Sequence, residues 1–143
     1  MEARQLALWH ARGRQAVGAA FVLAPGVFGR TWIAGDARRR PVKVLARAFG
    51  ARDLALGLGV VIALDRGTPV RGWIEAGALS DAIDTCASLL AGSSIPPAIR
   101  WRCVALGAGS AALGAYLAPQ LDDPPAPIPG QTPEAVATGH PLE

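Results

Sequence analysis

This chain carries few of the residues that support thiol, imidazole or metal chemistry. It has two cysteines, Cys86 and Cys103, and two histidines, His10 and His140. That argues against a disulfide framework, and no Cys/His spacing of a metal site is present. The histidines lie near opposite termini, where solvation is expected. Charged residues are also sparse, at 17% against 51% hydrophobic. The net charge of +3 and a pI of about 9.5 invite a nucleic-acid reading. All fourteen Lys and Arg precede residue 103, however, and gather between apolar stretches rather than among aromatics. No nucleic-acid partner is expected. Gly57-Leu58-Gly59 lacks the third glycine of a dinucleotide loop, and Ser93-Ser94 has no nearby base to activate a nucleophile. No cofactor and no metal are indicated.

What the sequence does have is apolar stretches. Four candidate helices run from about Gln15 to Ile33, Val44 to Leu64, Val70 to Ala91 and Ile99 to Ala118. Gly and Pro mark their ends. The chain divides into an N-terminal basic segment (1–13), a four-helix membrane domain (14–118) and a Pro-rich acidic tail (119–143). The tail holds seven of the twelve prolines and no Lys or Arg, so it is expected to be disordered. Its Asp122-Asp123 pair fits a charged linker. The expected fold is all-α, a four-helix transmembrane up-and-down bundle.

A soluble bundle is the alternative, and it needs a polar outer face on every helix. The first stretch offers none between Ala16 and Gly29, and the fourth offers only Ser110 between Cys103 and Tyr116. Each is near the ~20 residues that cross a hydrocarbon core of about 30 Å. Trp9, Trp32, Trp73, Trp101 and Tyr116 lie near stretch ends, as interfacial aromatics do. Seventeen glycines suit close membrane-helix packing, with Gly107-Ala111-Ala115 and Gly72-Ala76-Ser80 as small-residue ridges. The first stretch also resembles a signal peptide, but no clear Ala-x-Ala site follows it. It is taken as a retained span. The loops place eight basic residues on one side against five on the other, which puts both termini outside the cytoplasm. The Arg38-Arg39-Arg40 run then contacts lipid headgroups.

Ionisable residues inside these stretches are the main lead, because burying them is costly without partners, water or a function. Arg52 and Asp53 interrupt the second stretch, and Asp81 and Asp84 the third. Gly77, Asp81, Asp84, Thr85 and Ser88 recur on one helical face, opposite Leu79, Ile83, Cys86 and Leu90. Arg52 is expected to reach this polar stripe and pair with Asp81 or Asp84, while Asp53 caps the polar pocket. Glu75 faces elsewhere, one turn after Arg71. Three readings of the cluster compete: a satisfied network that fixes helix register, a functional polar site, and snorkelling to the interface. Asp81-x-x-Asp84 also invites Mg²⁺-assisted chemistry on a diphosphate, but that spacing is common and no second acidic motif lies in the spans. Cys86 and Cys103, on consecutive helices, are read as apolar fillers ahead of a redox pair.

Residues Ala46-Arg-Ala-Phe-Gly-Ala-Arg-Asp-Leu-Ala-Leu-Gly-Leu-Gly59 and Trp73-Ile-Glu-Ala-Gly-Ala-Leu-Ser-Asp-Ala-Ile-Asp84 carry a resemblance. With Pro25 and Trp32-Ile-Ala-Gly35, the region from 13 to 118 is similar to a family of small bacterial four-helix integral membrane proteins with no assigned activity. Its Gly-x-Arg-Asp and Asp-x-x-Asp elements fall on Gly50, Arg52, Asp53, Asp81 and Asp84. The resemblance implies a multi-pass inner (plasma) membrane protein. Its expected partners are the lipid bilayer and either a second copy or another membrane protein. The leading expectation is a non-enzymatic membrane component, either an assembly partner or a handler of small solutes or protons. The alternatives are a membrane-embedded enzyme for a lipid or isoprenoid-like substrate, and a soluble helical bundle.

Overall fold

Proline and glycine set the boundaries of the helices. In the computed structural model, which describes residues 2–33 and 37–121, the elements are α1 (Ala3–Leu23), α2 (Pro25–Phe28), α3 (Arg30–Ile33), α4 (Arg40–Arg66), α5 (Arg71–Leu90) and α6 (Pro97–Leu117). No strand occurs among the described residues. α1 stops one residue before Pro25, whose ring would clash with the preceding turn and whose nitrogen has no proton to donate. Pro25 then occupies the start of α2, and Pro41 and Pro97 the first turns of α4 and α6. There the missing N–H costs nothing. α4 ends on Gly67 at φ 63, the left-handed cap that suits glycine.

The first helix departs from the sequence expectation. It begins at Ala3 rather than near Gln15, so the basic segment 1–13 belongs largely to α1. Ala, Leu, Gln and Arg dominate residues 3–14, and all are strong helix formers. Residues 25–33 do not continue α1. They cross the end of the bundle, where the Thr31 carbonyl accepts a hydrogen bond from Arg102 near the start of α6. Trp32 folds back onto Phe21 and Phe49, with ring centroids 5.9 and 5.8 Å away. It is therefore part of an interior aromatic cluster and not an interfacial residue. The tail beyond Leu121 lies outside the described residues. Leu121 itself is buried in the core.

α1 packs chiefly on α4 and α5 on α6, giving two antiparallel pairs that meet along a thinner seam. Interior residues recur at alternating steps of four and three. The series are Ala7, Ala11, Arg14, Gly18 and Phe21 in α1, Gly50, Asp53, Gly57 and Val60 in α4, Ile74, Gly77, Asp81 and Asp84 in α5, and Cys103, Gly107, Ser110, Gly114 and Leu117 in α6. That is the left-handed packing repeat of bundles. The Gly72-Ala76-Ser80 ridge does not pack as expected. Gly72 and Ala76 are exposed, as is Ala115, and Gly107 and Gly114 make the α5 contact instead.

The exposed faces are apolar. Between Ala48 and Ile62 the exposed positions of α4 are Ala48, Ala51, Ala55, Leu58 and Ile62. Every exposed residue of α5 from Ala76 to Leu90, and of α6 from Ala105 to Ala115, is apolar or glycine. In α1 from Trp9 to Leu23, Arg12 is the one polar exposed position. One helix, extended to Pro97–Leu121, is long and apolar enough by itself to cross a membrane. α1, α4 and α5 carry more charged residues, among them Arg14, Arg52, Asp53, Asp81 and Asp84 of the interior.

Candidate functional site

The interior charges come from the middle of α1, α4 and α5. Two ion pairs cross the seam between the helix pairs. In the deeper one, Arg14 of α1 reaches Asp53 of α4 at 3.0 Å and Asp81 of α5 in closer contact. These side chains are only 7%, 8% and 11% exposed. Arg14 also donates to the Gly77 carbonyl at 3.4 Å. Gly77 permits this approach, since the guanidinium lies where larger side chains would project.

The second pair lies one turn away and is about one-third exposed. Arg52 of α4 grips Asp84 of α5 bidentately, Nη2 to Oδ2 at 2.6 Å and Nη1 to Oδ1 at 3.2 Å. Its Nη2 also stands 3.5 Å from Asp53 Oδ1, which links the two pairs. The Arg52 guanidinium carbon lies 4.7 Å from the Phe49 ring centroid, a cation–π contact that offsets part of its desolvation. Of the two partners expected for Arg52, the structure places Asp84 against it and gives Asp81 to Arg14. Asp53 joins the two pairs and also lines the polar cleft.

Arg14 escaped sequence reasoning because it sits at the edge of the segment read as extramembrane. The signal was present: stepping back from Gly18 by four, three and four residues passes through Arg14, Ala11 and Ala7. Two further residues were also missed. Ser110 of α6 donates to Asp81 Oδ2 at 2.6 Å, and His10 of α1 lies 2.8 Å from the same hydroxyl. His10 is thus held inside the bundle rather than solvated near the terminus. His140 and Asp122-Asp123 lie outside the described residues. In α5, Thr85 and Ser88 donate back to the Asp81 and Asp84 carbonyls at 2.7 and 2.8 Å, which turns their hydroxyls along the helix.

The network lines a cleft of about 270 Å³ that includes His10, Arg14, Asp53, Asp81, Asp84 and Ser110. A wider cleft of about 500 Å³ adjoins it, sharing Trp32, Phe49, Asp84, Ser88 and Cys103. Asp81 and Asp84 are each engaged by a different arginine, which leaves them poorly placed to share a cation. Glu75 pairs with Arg71 at 2.6 Å on the exterior. Cys86 is exposed and Cys103 buried, both as free thiols.

No protein-family model, curated protein or solved structure matches the chain.

Proposed function

We propose that this chain is a multi-pass integral membrane protein, a non-enzymatic component in which four long helices span the bilayer around an internal ion-pair network that handles protons or a small solute. One observation carries the reading: the polarity of the bundle is inverted. At mid-helix the exposed positions are apolar, Arg12 excepted, while Arg14, Asp53 and Asp81 are buried. Water would favour the reverse distribution, whereas lipid favours this one. At about 1.5 Å per residue, helices of 20 and 21 residues measure about 30 Å, the thickness of a hydrocarbon core.

Further features support it. Trp9, Trp73 and Tyr116 are exposed toward one end of the bundle and Trp101 toward the other, in keeping with interfacial belts. Arg12, near the middle of α1, is the one exposed polar position that departs from the inverted polarity. The end holding Arg30, Arg38, Arg39, Arg40, Lys43, Arg47, Arg100 and Arg102 carries no described acid, whereas the other end mixes Arg4, Arg66 and Arg71 with Glu2, Asp65 and Glu75. This asymmetry favours the basic end as cytoplasmic and both termini as external. The resemblance of residues 13 to 118 to small bacterial membrane proteins points to the inner membrane.

Alkaline carbonate extraction of membranes from expressing cells tests the reading. Retention of the full chain in the pellet is expected. Release into the supernatant would overturn it.

A further inference from the structure

Three carboxylates, Asp53, Asp81 and Asp84, face two guanidiniums, Arg14 and Arg52. The count leaves one negative charge unmatched in a largely buried network. Burying an unpaired charge costs several kcal/mol or more, and uptake of one proton would balance it. Among the described residues of the cleft, His10 is the remaining group with a basic nitrogen through which that proton can enter.

The hydrogen bonds around Ser110 have a direction. A serine hydroxyl has one proton. An ionised Asp81 cannot donate, so that proton goes to Asp81 Oδ2 at 2.6 Å. The Ser110 oxygen is then an acceptor toward His10, and His10 Nε2 must carry the hydrogen across the 2.8 Å contact. The chain therefore runs from His10 Nε2–H to Ser110 Oγ–H to Asp81 Oδ2, and Arg14 also donates to that same carboxylate oxygen. Nδ1 of His10 is left as the free base of the imidazole.

We propose that His10, Ser110 and Asp81 form a proton-binding relay, with His10 as the entry and Asp81 as the terminal acceptor. A proton arriving at His10 Nδ1 gives an imidazolium. The Nε2 proton then passes to Ser110 Oγ as the Ser110 hydroxyl proton passes to Asp81 Oδ2. The products are a neutral His10 protonated on Nδ1, an intact Ser110 hydroxyl turned about, and a neutral Asp81 carboxylic acid. One proton has entered, and the network changes by one unit of charge from net −1 to neutral. Arg14 then keeps a full ion pair only with Asp53, so protonation loosens the link between α1 and α5.

The charged and titratable groups near this chain come from every helix around it. They are Arg14 on α1, Asp53 and Arg52 on α4, Asp81 and Asp84 on α5, and Cys103 on α6, which lines the same cleft. The inference deepens the proton-handling reading and rests on the network being shielded from bulk water.

The experiment uses detergent-solubilised full-length protein bearing His140→Ala, which leaves His10 as the sole imidazole, and reads it by nitrogen-15 NMR and difference infrared spectroscopy. At neutral pH the Nε2–H tautomer of His10 is expected. On acidification, a carbonyl band of a carboxylic acid should appear in proportion to one proton per chain, and Asp81→Asn should abolish it. Ser110→Ala and His10→Gln leave the ion pairs in place and provide the same test should Asp81→Asn fail to fold. Each is expected to remove the hydrogen-bonded imidazole signal or the band. An Nδ1–H tautomer would overturn the relay. So would the correct tautomer with no carboxylic acid band, because a purely structural hydrogen bond gives that result. Carbonate extraction reports on the membrane reading separately, so failure of one test is not failure of the other.

Discussion

Gly18 of α1 and Gly50 of α4 face each other so closely that a methyl group on either would stand 2.6 Å from the other's carbonyl oxygen. A second backbone atom, the Leu54 nitrogen, is 2.8 Å from the position a Gly18 side chain would take. Neither obstacle is a flexible side chain, so the helices themselves would have to separate. Gly18→Ala and Gly50→Ala should each destabilise the bundle by about 1–3 kcal/mol, the usual cost of overpacking. Gly109→Ala, where nothing lies within 4 Å, should be neutral. Thermal unfolding in detergent checks all three, and a Gly18→Ala protein as stable as the Gly109→Ala control would contradict the packing.

The two ion pairs should differ in weight because their burial differs. Arg14→Gln strands Asp53 and Asp81 in the interior, and loss of one partner of a buried pair costs about 3–5 kcal/mol. Asp84→Asn affects a pair about one-third exposed on both sides and leaves Arg52 beside Asp53 at 3.5 Å, so its cost should be the smaller of the two. Combining Arg14→Gln with Asp53→Asn and Asp81→Asn should recover part of the loss, since no uncompensated charge then remains. Equal losses for Arg14→Gln and Asp84→Asn would mean that the depth difference carries no energetic weight.

Cys86 offers a probe of what surrounds the bundle. It is exposed on the face of α5 that carries Leu79 and Ile83. In a bilayer that face meets acyl chains, a layer that a charged reagent does not readily enter. In intact membranes Cys86 should resist a charged maleimide and react after denaturation in detergent. Prompt labelling in native membranes would place this face in water.

The proposed orientation rests on the eight basic residues at one end. A periplasm-dependent alkaline phosphatase fused after residue 143 should be active, and a fusion in the 67–70 turn should match it. Activity of a fusion in the 92–96 turn instead would invert the assignment.

Much of α5 was legible in the sequence. The periodicity that set Gly77, Asp81, Asp84 and Ser88 against Leu79, Ile83 and Leu90 depends only on helical geometry, and the structure keeps the first set inward and the second outward. Pairing was less legible, because periodicity says which way a residue faces and not which helix lies opposite. Arg52 could therefore be aimed at the α5 stripe without choosing between Asp81 and Asp84. That choice is made by Arg14, whose helix was begun too late. The ridge Gly72-Ala76-Ser80 misled for a related reason: small residues permit close packing but do not require it, and they also occur on outer faces. The His10–Ser110 contact joins residues one hundred positions apart, and no local pattern marks such a pair.

The two kinds of contact in this bundle differ in mechanical character. Within the α1/α4 pair, backbone meets backbone at glycine, and neither surface can yield without the helices parting. Across the seam the contact is mixed. Toward one end Ala7, Ala11, Val60, Ala63, Ile74 and Leu117 share an apolar cluster and Trp73 lies against Gly59, while at the middle Arg14 and Arg52 reach Asp81 and Asp84. The arginine side chains have several rotatable bonds and accommodate a range of separations, so the seam is pinned at its apolar end and compliant where the charges meet. A change in the charge of the network acts on that compliant part, where small forces can set the width of the clefts.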